Sequence, residues 1–110
     1  MKKISIEALA RQQLAAATSG SSGRAAATVF GGHEKVLRQT VMGMAKGTVM
    51  AEHESPGDAT VYVLSGRVRL IVGDDAWQAR TGDLLIMPKA RHSLEAEEDA
   101  TILLTVAKLP

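Results

Sequence analysis

The sequence predicts an all-β fold, a small barrel or double-sheet roll, with one short helix ahead of it. Three observations carry that reading. From residue 26 onward apolar and polar residues alternate with a period of two. The alternating runs are short, and glycine, proline or acidic residues separate them at close intervals. No run of helical period lies between them, so the strand–helix–strand order of a parallel sheet is missing.

Taken in order, residues 5–17 read as the helix. Ser5 is placed to cap it, Glu7 sits in its positive first turn, and Ile6, Leu9, Ala10, Gln13, Leu14 and Ala17 recur at helical spacing. The apolar stripe is thin and a helix this short is marginal alone, so it is expected to pack on the outside of the main body. Residues 18–23, Thr-Ser-Gly-Ser-Ser-Gly, read as a flexible linker. The chain thus divides into a helix with its linker, 1–25, and a β domain, 26–110.

In the β domain, residues 27–30 form a first strand stopped by Gly31-Gly32. Residues 36–45 form a longer one, with Leu37, Gln39, Val41 and Gly43 opposing Val36, Arg38, Thr40, Met42 and Met44. Ala45-Lys46-Gly47 turns the chain. Val49, Ala51 and His53 are expected on one face of the next strand, Pro56-Gly57 as a type II turn, and residues 59–64 as the returning strand. Residues 67–72 alternate strictly, and Gly73-Asp74-Asp75 makes the following hairpin turn. Residues 76–79, 84–87 and 100–107 bring the total to about eight strands.

Composition narrows the function classes. The chain of 110 residues is sized for one domain. It is 45% apolar, yet its only aromatics are Phe30, Tyr62 and Trp77, so the core must be built from Val, Leu, Ile, Met and Ala. A net charge of +1 with interspersed signs lacks the clustered basic residues that bind nucleic acid. Without cysteine there is neither a disulfide nor a thiolate ligand or nucleophile. No apolar run is long enough for a signal-peptide core or a membrane span, so the expected location is the cytoplasm. Ser55 lies near His53, but no glycine elbow or orienting acid accompanies it, which argues against a serine hydrolase.

Two motifs then carry the chemistry. Residues 47–66 match the spacing G-x5-H-x-H-x3-E-x6-G at Gly47, His53 and Gly66, with Ser55 in the second histidine slot and Ala59 in the glutamate slot. Residues 82–92 are similar to G-x5-P-x-G-x2-H-x3-N at Gly82 and Pro88. There Ala90 takes the place of the second glycine, His92 comes one residue early, and Ala96 stands for the asparagine. On these residues the chain resembles a small single-domain cupin over about residues 26–107. The resemblance implies a jelly-roll (double-stranded β-helix) barrel with the short N-terminal helix outside it. It also implies a site at the barrel mouth, where family members that bind metal use three histidines and a glutamate.

Only His53 and His92 keep ligand residues in matching slots, and Asp58 is the nearest replacement carboxylate. The expected cofactor is therefore none, or a divalent metal held weakly by His53, His92 and Asp58. The expected function is binding or sensing of a small molecule in the barrel, with His53, His92 and Ser55 as polar groups and Met42, Met44, Val61 and Val63 as apolar lining. Two other classes stay open. One is a metal-dependent dioxygenase or isomerase using the two histidines, and the other is an interaction module whose barrel is filled by side chains. Arg67 and Arg69 read as a solvent face, His33 as an exposed loop residue and Asp83 as a turn residue. Trp77 reads as an anchor of the core or of an outer face. Thr60, Tyr62, Leu64 and Ile71 would form an outward apolar patch, from which a homodimer is expected.

Overall fold

Ser5 caps the helix as its position suggested: its Oγ accepts the Ala8 N–H at 3.1 Å, and α1 runs Ile6–Ser19. The computed structural model describes residues 1–53 and 57–108, apart from the side chains of Glu52 and His53. The helix ends two residues later than its periodicity indicated. The Thr18 and Ser19 hydroxyls donate back to the Leu14 and Ala15 carbonyls (3.0 and 2.8 Å), so polar residues read as linker complete its last turn. The rest of the expected linker is a short tethered turn. Gly23, at φ 73°, accepts the Ala45 N–H at 2.8 Å, and the first strand already starts at Arg24.

Nine strands follow among the described residues: β1 (Arg24–Phe30), β2 (Leu37–Met44), β3 (Val49–His53), β4 (Gly57–Ser65), β5 (Arg67–Val72), β6 (Asp75–Arg80), β7 (Leu84–Ile86), β8 (His92–Ala96) and β9 (Ala100–Lys108). They form two antiparallel sheets, one in the order β1-β2-β9-β4-β7 and the other β3-β8-β5-β6. That is the all-β jelly roll expected, with β8 as the strand that periodicity did not single out. The expected type II turn at Pro56-Gly57 lies outside the described residues on its Pro56 side, and Gly57 already opens β4 opposite Lys108.

Alternation along the strands builds the interior. On β4, Ala59, Val61 and Val63 are buried while Asp58 and Tyr62 are exposed; on β9 the buried inner residues are Ala100, Ile102 and Val106. They meet Val68 and Leu70 of β5 and Leu94 and Ala96 of β8 in one apolar cluster. Few of these side chains are large, as a core with three aromatics in the whole chain requires.

The helix covers the outer face of the five-stranded sheet. Val41 is fully buried beneath it, and its own buried residues are both alanines, Ala10 and Ala17. Close approach is what makes so thin a stripe sufficient: a Cβ on Gly43 would fall on the backbone of Gln13 and Leu14. Between the sheets, Gly66 (φ 81°) turns β4 into β5 hard against the backbone oxygen of Asp99.

Beyond the helix, the same outer face leaves Tyr62, Leu84 and Ile86 exposed on the paired strands β4 and β7. Ile71 does not extend this patch. It lies on β5, in the other sheet. Arg67 and Arg69 are on the outer face of the four-stranded sheet, where Arg69 pairs with the cross-strand Glu95 at 2.9 Å and Arg67 approaches Glu97 at 3.7 Å. Half-exposed pairs of this kind contribute about 0.2–1 kcal/mol each. No helix among the described residues is long and apolar enough to cross a membrane.

Because Gly43 has no room for a side chain while Gly73 (φ 57°) has open space around it, the two separate crowding from backbone strain. Gly43→Ala should destabilise by about 2–3 kcal/mol through displacement of the helix. Gly73→Ala should cost only about 1 kcal/mol, from left-handed strain. Denaturant unfolding of the two variants checks this, and equal losses would contradict the packing described.

Candidate functional site

The site is laid out by ladder register on the inner face of the four-stranded sheet. Along β3 and β8, Met50 opposes Leu94, but His53, three residues on, opposes His92, only two residues back along β8. One extra residue in β3 thus forms a bulge between Met50 and His53. The sequence placed Val49 and Ala51 on the face of His53. Instead both are exposed, Met50 packs against the core, and the bulge is what sets the His53 backbone opposite a buried inner residue.

His92 is the anchor. It is 3% exposed, and its Nδ1 lies 2.8 Å from the Ala90 carbonyl oxygen. A carbonyl only accepts, so Nδ1 carries the proton and donates, and in the neutral ring Nε2 carries the lone pair. That is the tautomer an imidazole needs to accept a hydrogen bond or to bind a metal, with its orientation fixed from behind.

The same row continues across the sheet. Leu70 opposes Leu94 and Ile71 opposes Ser93, which brings Val72, one step further along β5, to the level of His92; Val72 in turn opposes Asp75 on β6. The neighbouring row runs Met50, Leu94, Leu70, Trp77. At the β6 end the two rows open into a cavity of about 180 Å³ lined by Leu70, Val72, Asp75, Trp77, Ile86 and Pro88. Ile86 and Pro88 reach it from the end of β7, so the cavity lies where the edge strands of the two sheets face each other.

Of the residues expected in the site, Met44, Val61 and Val63 are 0–1% exposed, their surfaces taken up by neighbouring core side chains, and Met42 packs against the same cluster. Ser55 and the side chain of His53 lie outside the described residues. Asp58 is a correction. It points outward from β4, with 77% of its side chain exposed, and lies 3.5 Å from Lys89. Strand alternation puts Ala59, in the glutamate slot, on the inner face in its place, 7% exposed.

No group of three histidine, aspartate or glutamate side chains comes together among the described residues. Asp75 shares the row of His92 but stands two strands away, roughly 10 Å at the usual strand spacing, too far to share an ion with it. The described donors therefore do not make the three- or four-ligand shell of a tight metal centre. The sequence did not place Trp77, Asp75, Ile86 or Pro88 at a cavity, yet all four line this one. Trp77, expected to anchor the core or an outer face, is 70% exposed at the cavity rim. The usable signal was the hairpin: a turn of Gly73 and Asp74 alone, with positive φ only at the glycine, pairs Trp77 with inward Leu70, whereas a three-residue turn would have sent it outward.

A family model described as cupin domain matches residues 40–107. No curated protein shows significant similarity to the chain. Among solved structures, a conserved protein of unknown function from Streptococcus pyogenes is 29% identical, with a TM-score of 0.73 over 83% of this chain and 79% of that one. A cupin 2 conserved barrel domain protein from Leptotrichia buccalis is 27% identical, TM-score 0.73, over 81% of this chain and 43% of that one. A cupin superfamily protein from Desulfitobacterium hafniense, 16% identical with a TM-score of 0.71 over 78% of each chain, shares the fold.

The assigned tautomer is open to direct measurement. Long-range proton–nitrogen spectra, recorded where the ring is neutral, should give a protonated Nδ1 and a bare Nε2 for His92. The reverse pattern would contradict the hydrogen bond to Ala90.

Proposed function

The chain belongs to the cupin domain family, and from that premise we propose that it binds a small molecule at the open end of its barrel. The observation that carries the reading is His92, a buried imidazole held by the Ala90 carbonyl with its accepting nitrogen defined, in the same row as the His53 backbone and the apolar cavity. A few polar groups beside an apolar recess is the usual make-up of a small-molecule site. In this reading His92, with His53 beside it, orients the ligand by hydrogen bonding, and the recess holds its apolar part.

Native mass spectrometry of protein purified without chelator tests it. The expected result is a non-covalent small-molecule adduct that is lost in His92→Gln while circular dichroism stays unchanged. An empty protein in a broad ligand screen would overturn the reading.

Metal content separates this from the enzyme alternative. With Ala59 in the glutamate slot and Asp58 facing Lys89, an ion would depend on imidazoles and water, so it should be weakly held. Elemental analysis should find clearly less than one equivalent of transition metal per chain. A stoichiometric ion that survives chelator and disappears in His53→Ala would put a metal-dependent enzyme first.

For self-association, the supporting feature is the uncharged outer surface of Tyr62, Leu84 and Ile86, which a second copy would match about a two-fold axis. Light scattering should give a dimer, converted to monomer by Tyr62→Glu with Leu84→Glu. A wild-type monomer at tens of micromolar, an order-of-magnitude concentration well above the Kd of stable interfaces, would count against it.

A further inference from the structure

Building on the small-molecule reading of the open end, we propose that the occupant of the β6-side cavity is an amine: an ammonium group on a compact apolar body. Leu70, Val72, Ile86 and Pro88 give the recess apolar walls, and a volume of about 180 Å³ is in the range that admits a benzene-sized molecule. What distinguishes it from a generic apolar recess is its rim. Trp77 shares an inward row with buried Leu70 yet keeps 70% of its surface open, which leaves indole surface available at the cavity edge.

Asp75, two residues before Trp77 and on the same face of β6, is the only charged residue among the described residues that line the cavity. It forms no ion pair with any described residue, and a second carboxylate, Asp74, precedes it in the hairpin turn. The basic residues that follow Pro88, Lys89 and Arg91, do not line the cavity, and Lys89 is turned toward Asp58.

An indole beside a carboxylate selects by charge. The ring face attracts a cation through its quadrupole, and the carboxylate attracts it by direct charge and by hydrogen bonds from the ammonium protons. Both repel a carboxylate ligand. The apolar walls then favour an alkyl or aryl body over a heavily hydroxylated one, because hydroxyl groups would lose water there without gaining partners.

Trp77 is the only tryptophan of the chain, so its emission reports on this cavity alone. The test titrates the protein with three probes that share a phenyl ring and a short side chain: phenethylamine, 2-phenylethanol and 3-phenylpropionate. The amine should give a saturable change in emission, with a Kd about tenfold below that of the alcohol, as expected for a partly exposed cation–π contact together with an ion pair. The carboxylate should bind most weakly. Asp75→Asn, an exposed position, should bring the amine close to the alcohol and leave the alcohol unchanged.

Equal binding of all three probes, or tighter binding of the carboxylate, would overturn the charge assignment while leaving a small-molecule site at this end. No saturable response from any probe would overturn the cavity as the binding place. An adduct that still depended on His92 in the mass spectra would then locate the ligand at the histidines instead.

Discussion

An antiparallel ladder repeats every two residues, and the interior of this barrel depends on where that period is kept and on the bulge that breaks it in β3. Ala59, Val61 and Val63 on β4, and Ala100, Ile102 and Val106 on β9, reach the core by plain alternation. β3 starts in the same way, with Met50 inward and Val49 outward. Had it continued, the position opposite His92 would have fallen to Glu52, and a carboxylate would have met the buried imidazole. The one-residue bulge sets the His53 backbone there instead.

The second constraint is closure. A five-stranded and a four-stranded sheet enclose a core where they face each other, but their edge strands β6 and β7 are not paired to each other. Along β6 the consequence is graded: Ala79 is buried, while Trp77 and Asp75, with the same inward parity, are exposed. Parity decides which way a side chain points, whereas distance from the open edge decides whether anything covers it. The only tryptophan is therefore part of a recess instead of a core, and a single strand passes from packed core at Ala79 to open recess at Asp75.

Most of the fold was legible in the sequence because its signals were local. Ser5 and Glu7 mark the helix start, strict alternation marks β5, and Gly73 marks the tight hairpin. What escaped notice depends on partners. His92–Ala96 alternates inward and outward like any strand, but only Leu94 is a large apolar residue, so the run has little hydrophobic contrast; its strand character comes from being paired on both sides, by β3 and β5. The bulge in β3 leaves no mark on residues 49–53, because the extra residue is defined against β8. The motifs predicted that both histidines would come to one end, and the ladder does set their backbones opposite each other. The cavity was hidden by one residue of hairpin length, which decides the face Trp77 occupies.

The departures from the cupin motifs have a common physical direction. Ala59 and Ala96 fill slots where the pattern has a glutamate and an asparagine, and both are buried among apolar neighbours, at 7% and 1% exposure. A buried carboxylate is stable only with a cation or several hydrogen bonds to satisfy it, so a site that keeps one is organised around that partner. With alanine in its place the interior no longer requires the ion for its own stability. Among the described residues the buried polar side chain that remains on the inner face is His92, whose Nδ1 is held by the Ala90 backbone. In the reading proposed above, selectivity then passes to the polar and aromatic groups with unburied surface, and in the described part of the mouth these are the indole of Trp77 and the carboxylate of Asp75.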